Sequence, residues 1–237
     1  MEGTRQLNIK VFVFNYLQEN CYLLWNEAGD CVIVDPGCQD DGEVRELEGY
    51  VASNGLHPKE IWLTHAHFDH IGGVKALVKD YAVPVRMNAS EKSTLAINRS
   101  LAAAFGLPSP DMDGVGTVAI ADGDSLDALG DPFFVIATPG HTEGGVCYYD
   151  PAHKVLLSGD TLFAGSIGRT DSPVGDYDKL ITGIMESLMG LPSDVDVLPG
   201  HGRRSSIAEE RSCNPFLQPF NEPEDSSADV EGIEFHL

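Results

Sequence analysis

Apolar residues along this chain follow two rhythms, and the switches between them outline its elements. Residues 7–14 alternate as a strand does, while 21–25 and 31–34 are continuous apolar runs of strand length, the last two parted by the turn signal Ala28-Gly29-Asp30. A helical period follows over 41–53. A β-prone run at 61–64 then leads through a polar loop to Ile71-Gly72-Gly73 and a helical pattern ending at Asp80. A strand at 83–87 and a helix-rich stretch at 89–105 come next, broken by Leu107-Pro108-Ser109-Pro110-Asp111, where an insertion at a pocket mouth is expected. The second half predicts strands at 117–120, 125–129, 133–137, 145–149, 155–158 and 195–198, with helices at 177–189 and 207–212. Each half runs from strands into helix–strand units. Helices need a sheet face to cover, so the economical α/β arrangement is two sheets packed face to face with helices outside.

The pattern fades after residue 218. Residues 1–218 are therefore expected to form the folded domain, and 219–237 an acidic, mobile tail in which Ile233, Phe235 and Leu237 are able to dock. Composition changes this picture little: 42% of the 237 residues are apolar, and no run is long enough to span a membrane. Charge changes it more. A formal net charge of −22, with basic residues scattered and Arg203-Arg204 the one basic doublet, excludes nucleic acid as the expected partner. Five cysteines at 21, 31, 38, 147 and 213 lack zinc-ribbon spacing, and the first ten residues lack the apolar core of an export signal, so a cytoplasmic protein with free thiols is expected. Cys38 is read as a plain thiol rather than a reactive one. Oligomeric state is not legible.

The chemistry is concentrated in residues 65–70, His-Ala-His-Phe-Asp-His. Imidazole nitrogens and carboxylate oxygens are the donors that hold zinc or non-haem iron. The segment lies between a strand and a helix, at a sheet edge. There His65 and His67 can converge on one ion while Asp69 and His70 turn to a second. Three further apolar strands end in candidate ligands beside small residues: Thr138-Pro139-Gly140-His141, Ser158-Gly159-Asp160-Thr161 and Pro199-Gly200-His201-Gly202. A rigid strand fixes the anchor, and glycine lets the backbone turn closely around an ion.

On these motifs the chain resembles the metallo-β-lactamase superfamily from about residue 11 to 216. The resemblance implies an αββα four-layer sandwich with a two-metal cleft at one edge. It implies that His65, His67 and His141 bind one divalent ion, that Asp69, His70 and His201 bind a second, and that Asp160 bridges them. Asp35, in an Asp-Pro-Gly turn, matches a position that supports the metal loop. The ions are expected to be zinc, with iron or manganese as alternatives. Gly159-Asp160-Thr161-Leu162-Phe163, Gly168-Arg169-Thr170-Asp171 and Asn214-Pro215-Phe216-Leu217 look like the small bacterial members of the glyoxalase II branch. By that resemblance Arg169 contacts the substrate, although Asp171 stands where the branch places a tyrosine.

Two adjacent cations generate hydroxide at neutral pH and stabilise an oxyanion. The expected activity is therefore hydrolysis of a small-molecule thioester or ester, with Asp69 also orienting the water. A thiolate, with a pKa of about 8.5, leaves without a general acid, which favours thioesters. The alternatives are a mononuclear-iron oxidoreductase like the persulfide dioxygenases, a hydrolase of lactones, β-lactams or phosphoesters, and a binding module with a structural ion. Leu101, Phe105 and Leu107 are candidates either to meet an acyl group or to pack a helix onto the sheet.

Overall fold

In the computed structural model, residues 6–218 are described; the expected tail at 219–237 lies outside them. β1 (Asn8–Phe14), β2 (Glu19–Trp25), β3 (Asp30–Val34), β4 (His57–Trp62), β5 (Val85–Asn88) and β6 (Thr117–Ile120) form one sheet in that order. The second sheet begins with β7 (Ser125–Leu126), β8 (Phe133–Ala137), β9 (Val146–Asp150) and β10 (Val155–Gly159). A ribbon of β11 (Leu162–Phe163) and β12 (Ser166–Ile167) interrupts it before β13 (Asp196–Pro199) and β14 (Ser205–Ser206). The order in the second sheet is β14-β13-β10-β9-β8-β7. Helices α1 (Asp41–Ser53), α2 (Val74–Tyr81) and α3 (Lys92–Ala104) belong to the first half. The second half has α4 (Tyr177–Gly183), prolonged by a π-helical turn at Ile184–Leu188, and α5 (Ile207–Cys213).

Why the central strands read as continuous apolar runs is clear from their two faces. In β3, Cys31 and Ile33 pack toward α1 and α2, while Val32 and Val34 pack between the sheets. In β9 and β10, Cys147 and Leu156 meet α4 and α5, whereas Tyr148 and Leu157 face the first sheet. Period two with both faces buried gives three apolar layers and hence four structural layers. The expected αββα sandwich is present. The middle layer centres on Trp62, whose ring lies 5.2 Å from Phe133 and 5.1 Å from Tyr148. Helix starts follow local capping: the Asp40 carboxylate accepts from Gly42 and Glu43 N–H, which sets α1, and Ser206 accepts from Glu209 N–H, which sets α5.

Differences from the expected elements have local causes. β4 runs His57–Trp62 rather than over 61–64, because the Thr64 N–H leaves the ladder for the Asp35 carboxylate at 2.7 Å. β7 stops at Leu126 because a turn closes from Gly130 N–H to Asp127 O. Strands of two residues, such as β11, β12 and β14, are too short to show a period.

Phe133 is buried against Trp62. Phe133→Ala is expected to destabilise the protein by about 3–5 kcal/mol, read as a lower urea midpoint with unchanged slope.

Candidate metal centre

Four loops meet where strands end. The loop after β4 carries His65, His67, Asp69 and His70; those after β8, β10 and β13 carry His141, Asp160 and His201. Six of these residues fall into two close donor groups, His65/His67/His141 and Asp69/His70/His201. Asp160 stands between the groups: Oδ2 lies 3.4 Å from His141 Nε2 and 3.6 Å from His201 Nε2, and Oδ1 lies 3.4 Å from His70 Nε2. The structure thus brings together all seven sequence-predicted ligand candidates.

Each imidazole but one is aimed by its far nitrogen. His65 Nδ1 meets Thr64 Oγ1 at 3.0 Å, and His70 Nδ1 meets Asp35 Oδ2 at 3.2 Å. His141 Nδ1 meets the Arg169 carbonyl at 2.8 Å, and His201 Nδ1 meets the Leu17 carbonyl at 3.0 Å. The opposite nitrogens are left for the shared space, the arrangement metal-ligating histidines use. The exception is His67, whose Nδ1 lies 2.9 Å from His141 Nε2.

The donor set fits metal ions. His65 Nε2, His67 Nε2 and Asp160 Oδ1 are buried without a hydrogen-bond partner, which an apolar interior would not tolerate. Two donors on a tetrahedral ion at about 2.1 Å stand roughly 3.4 Å apart. His70 Nε2 to His201 Nε2 is 3.3 Å, and His201 Nε2 to Asp69 Oδ2 is 3.3 Å. The glycines hug the donors as their motifs suggested. A Cβ on Gly200 would collide with the Asp160 carboxylate and stand 2.8 Å from His70 Cε1.

Asp35 groups geometrically with His65 and His70 but faces away from the shared space. Its Oδ1 accepts from Thr64 N–H, its Oδ2 takes the Thr64 hydroxyl at 2.5 Å and His70 Nδ1, and it holds a left-handed φ of +47°. It supports the loop.

Two carboxylates escaped the sequence reading. Glu91 is fully buried and ties two ligand loops together. Its Oε2 accepts from Ala66 N–H at 2.7 Å, and its Oε1 accepts from the Thr142 hydroxyl at 2.6 Å and Gly144 N–H at 2.8 Å. Nothing in its helical surroundings marks it. Glu19 is buried behind the site, 3.9 Å from His70 Nδ1, with both oxygens unpartnered, and burial pushes its carboxyl well above the usual range. The signal available was the polar pair Glu19-Asn20 at the head of an otherwise apolar strand.

Electrostatics separate the two groups. Burial and neighbouring imidazoles push His65 well below its ordinary value, and burial pushes His67 down to about 3, so both are neutral donors at pH 7. Burial also opposes charge on His70, but Asp160 and Asp69 outweigh it and hold His70 well above its ordinary value. His70 in turn keeps Asp160 and Asp69 ionised against burial.

The donors open onto a cleft of about 390 Å³. Leu101 and Phe105 line its wall with Phe68, Phe163 and Ile167, so the helix and break after α3 do overhang the site. Leu107 instead lines a neighbouring cavity of about 210 Å³. Arg169 lies on the cleft, its guanidinium forked onto Asp171 at 2.7 and 3.0 Å. Cys38 is a buried thiol pushed up by burial, a plain one as expected, and all five cysteines are free. Among the described residues no helix is long and apolar enough to cross a membrane.

Comparison with known proteins agrees with this geometry. The family described as Metallo-beta-lactamase superfamily matches residues 15–201. Hydroxyacylglutathione hydrolase GloC of Haemophilus influenzae is 34% identical over 212 residues, covering 89% of this chain and 98% of GloC. The crystal structure of BLEG-1 B3 metallo-beta-lactamase superposes with TM-score 0.81 at 36% identity, covering 89% of this chain and 99% of that one. TTHA1623, solved in a di-iron-bound form, gives TM-score 0.77 at 36% identity, covering 88% and 100%.

Glu91→Ala should leave the fold intact but loosen the Ala66 and Gly144 loops. Metal affinity is expected to drop by about 10–100-fold, with partial rescue by Glu91→Gln, read by competition with a chelator. Protons also compete with metal. Because His70 and His201 are both held above their ordinary value by Asp69 and Asp160, binding there must expel their protons, so affinity rises with pH by up to about a hundredfold per unit while both are protonated and levels off once both are neutral in the free protein. Chelator competition at acidic, neutral and alkaline pH measures the slope.

Proposed function

The chain belongs to the metallo-β-lactamase superfamily, and from that membership we propose that it is a metal-dependent hydrolase that cleaves small-molecule thioesters. His65, His67 and His141 would hold one divalent ion and Asp69, His70 and His201 another, with Asp160 reaching both. Zinc suits this mixed nitrogen and oxygen set, and iron or manganese would serve. When bound, such ions supply Lewis acidity toward water and toward a carbonyl oxygen.

The chain's own groups do the rest. Asp69, kept ionised by His70 and His201, lines the cleft and accepts a hydrogen bond from water, directing the oxygen toward the carbonyl carbon. Glu91 and Asp35 keep the ligand loops from relaxing as charge develops. Leu101, Phe105 and Phe163 form an apolar wall that shelters an acyl group and excludes bulk water. Hydroxide adds to the carbonyl carbon, the C–S bond breaks, and the thiolate departs with the bonding pair while a carboxylic acid remains.

One observation carries the choice of a thioester. Among the described residues lining the cleft, none outside the ligand set is a lysine, tyrosine, cysteine or carboxylic acid. An amine or alkoxide leaving group would want such a proton donor, and a thiolate does not. Arg169 adds a refinement: Asp171 already neutralises its guanidinium, so an anionic glutathione end gains little there. A thioester without glutathione fits as well as one with it. β-Lactam hydrolysis is the second reading, favoured by the similarity to BLEG-1.

The deciding experiment compares S-D-lactoylglutathione, a simple acyl thioester and a chromogenic cephalosporin, using protein loaded with zinc or with iron. Turnover of both thioesters at similar kcat/KM, abolished by a chelator and restored by metal, is expected. Turnover of the cephalosporin alone would replace the thioesterase reading. Oxygen uptake with a glutathione persulfide at one iron per chain would replace it with a dioxygenase. Asp160→Ala is expected to lower kcat/KM roughly a thousandfold, about 4 kcal/mol, and to lose metal. Retention of two bound ions would contradict its bridging place.

A further inference from the structure

The connection between β1 and β2, residues 15–18, carries local backbone strain. Asn15 and Gln18 both have left-handed backbones, with φ of +53° and +57°. Residues other than glycine keep that conformation where tertiary contacts fix it. Here the contacts run to the metal centre. Asn15 Nδ2 donates to the Asp69 carbonyl at 2.9 Å and to the Gly37 carbonyl at 2.8 Å. Asn15 Oδ1 accepts from Leu17 N–H at 2.9 Å, which fixes Leu17, and the Leu17 carbonyl meets His201 Nδ1 at 3.0 Å. Just beyond the turn, Asn20 N–H donates to the Gly200 carbonyl at 2.7 Å. Asn20 Nδ2 donates to the carbonyls of Pro199 and Gly202, both at 2.9 Å. Apart from Gly37, each of these far partners is Asp69, His201 or a residue within two positions of His201.

The other donor group has different supports. Glu91, just before α3, and Asn98, within it, grip Ala66 between His65 and His67. Glu91 Oε2 accepts from Ala66 N–H, and Asn98 Nδ2 donates to the Ala66 carbonyl, both at 2.7 Å. Glu91 Oε1 reaches Thr142 and Gly144 beside His141. Among the described residues no hydrogen bond joins residues 15–20 to His65, His67 or His141.

Building on the paired-ion reading of the centre, we propose that segment 15–20 positions the donors of one ion alone, the ion assigned to Asp69, His70 and His201. Each ion is then held by its own part of the fold. Asn15 and Asn20 are positioning residues: neither lines the cleft, and they act through the Asp69 main chain and the loop that bears His201. Cutting such a tie lets the donor relax, so binding must pay to reassemble the site. Asp35 and Asp160 touch both donor groups, so their loss would not tell the ions apart. The two asparagines can.

Zinc titrated into the metal-stripped full chain against a chelator, followed by calorimetry, tests the proposal. The wild-type chain should take up two ions, and His201→Ala should identify the step that belongs to the second. Asn15→Gly, which accepts the left-handed backbone freely, should weaken that step about 10–100-fold and leave the other unchanged. Asn20→Ala, which does not depend on the turn's backbone, should do the same. Glu91→Ala should give the mirror image and weaken only the other step. Equal weakening of both steps by the asparagine variants, or no change in either, would overturn the proposal while leaving the paired-ion reading intact. A wild-type chain that takes up a single ion would overturn that reading, and the proposal with it.

Discussion

The Asp35 carboxylate is the constraint on which the rest of the metal centre hangs. It ends β4 by taking the Thr64 N–H out of the ladder, and the residues after Thr64 are the ligand loop. It fixes His70 directly and His65 through the Thr64 hydroxyl, so one side chain aims an imidazole in each donor group. The left-handed backbone at Asp35 costs roughly 1–3 kcal/mol, which the buried hydrogen bonds offset. Without that carboxylate, the strand could run on and the imidazoles would be free to rotate.

Around this point the sandwich acts as a frame. β4, β8, β10 and β13 all send their C-terminal ends to one rim, and the three apolar layers hold those ends in place. Donors gathered from distant parts of the sequence therefore meet at 3–4 Å without needing one another to fold. Their cross-ties are polar and buried. Glu91 links the loops after β4 and β8, and Asn20 holds the loop after β13 through the carbonyls of Pro199 and Gly202. Such ties keep mutually repelling donors crowded when no cation is present.

What the sequence made legible follows from the range of each interaction. The six-residue cluster 65–70 and the strand-end residues His141, Asp160 and His201 stand out because residue type and local glycine spacing mark them. The central strands stand out because both of their faces are buried. Glu91 and Glu19 were invisible for the opposite reason: each acts on residues far along the chain, and neither has a local pattern to betray it. β4 ends two residues before the expected 64 because a hydrogen bond from position 64 to position 35 decides its end. For Leu101, Phe105 and Leu107 the sequence leaves open an acyl contact or helix packing; the first two line the cleft, and the break after α3 turns Leu107 into the next cavity.

His141 is steered by the main-chain carbonyl of Arg169, whereas the side chain of Arg169 looks into the cleft. A peptide oxygen survives any replacement of the residue that bears it. Evolution can therefore retune what position 169 greets at the mouth of the cleft while the imidazole behind it keeps its bearing, so selectivity and ion retention are free to drift independently.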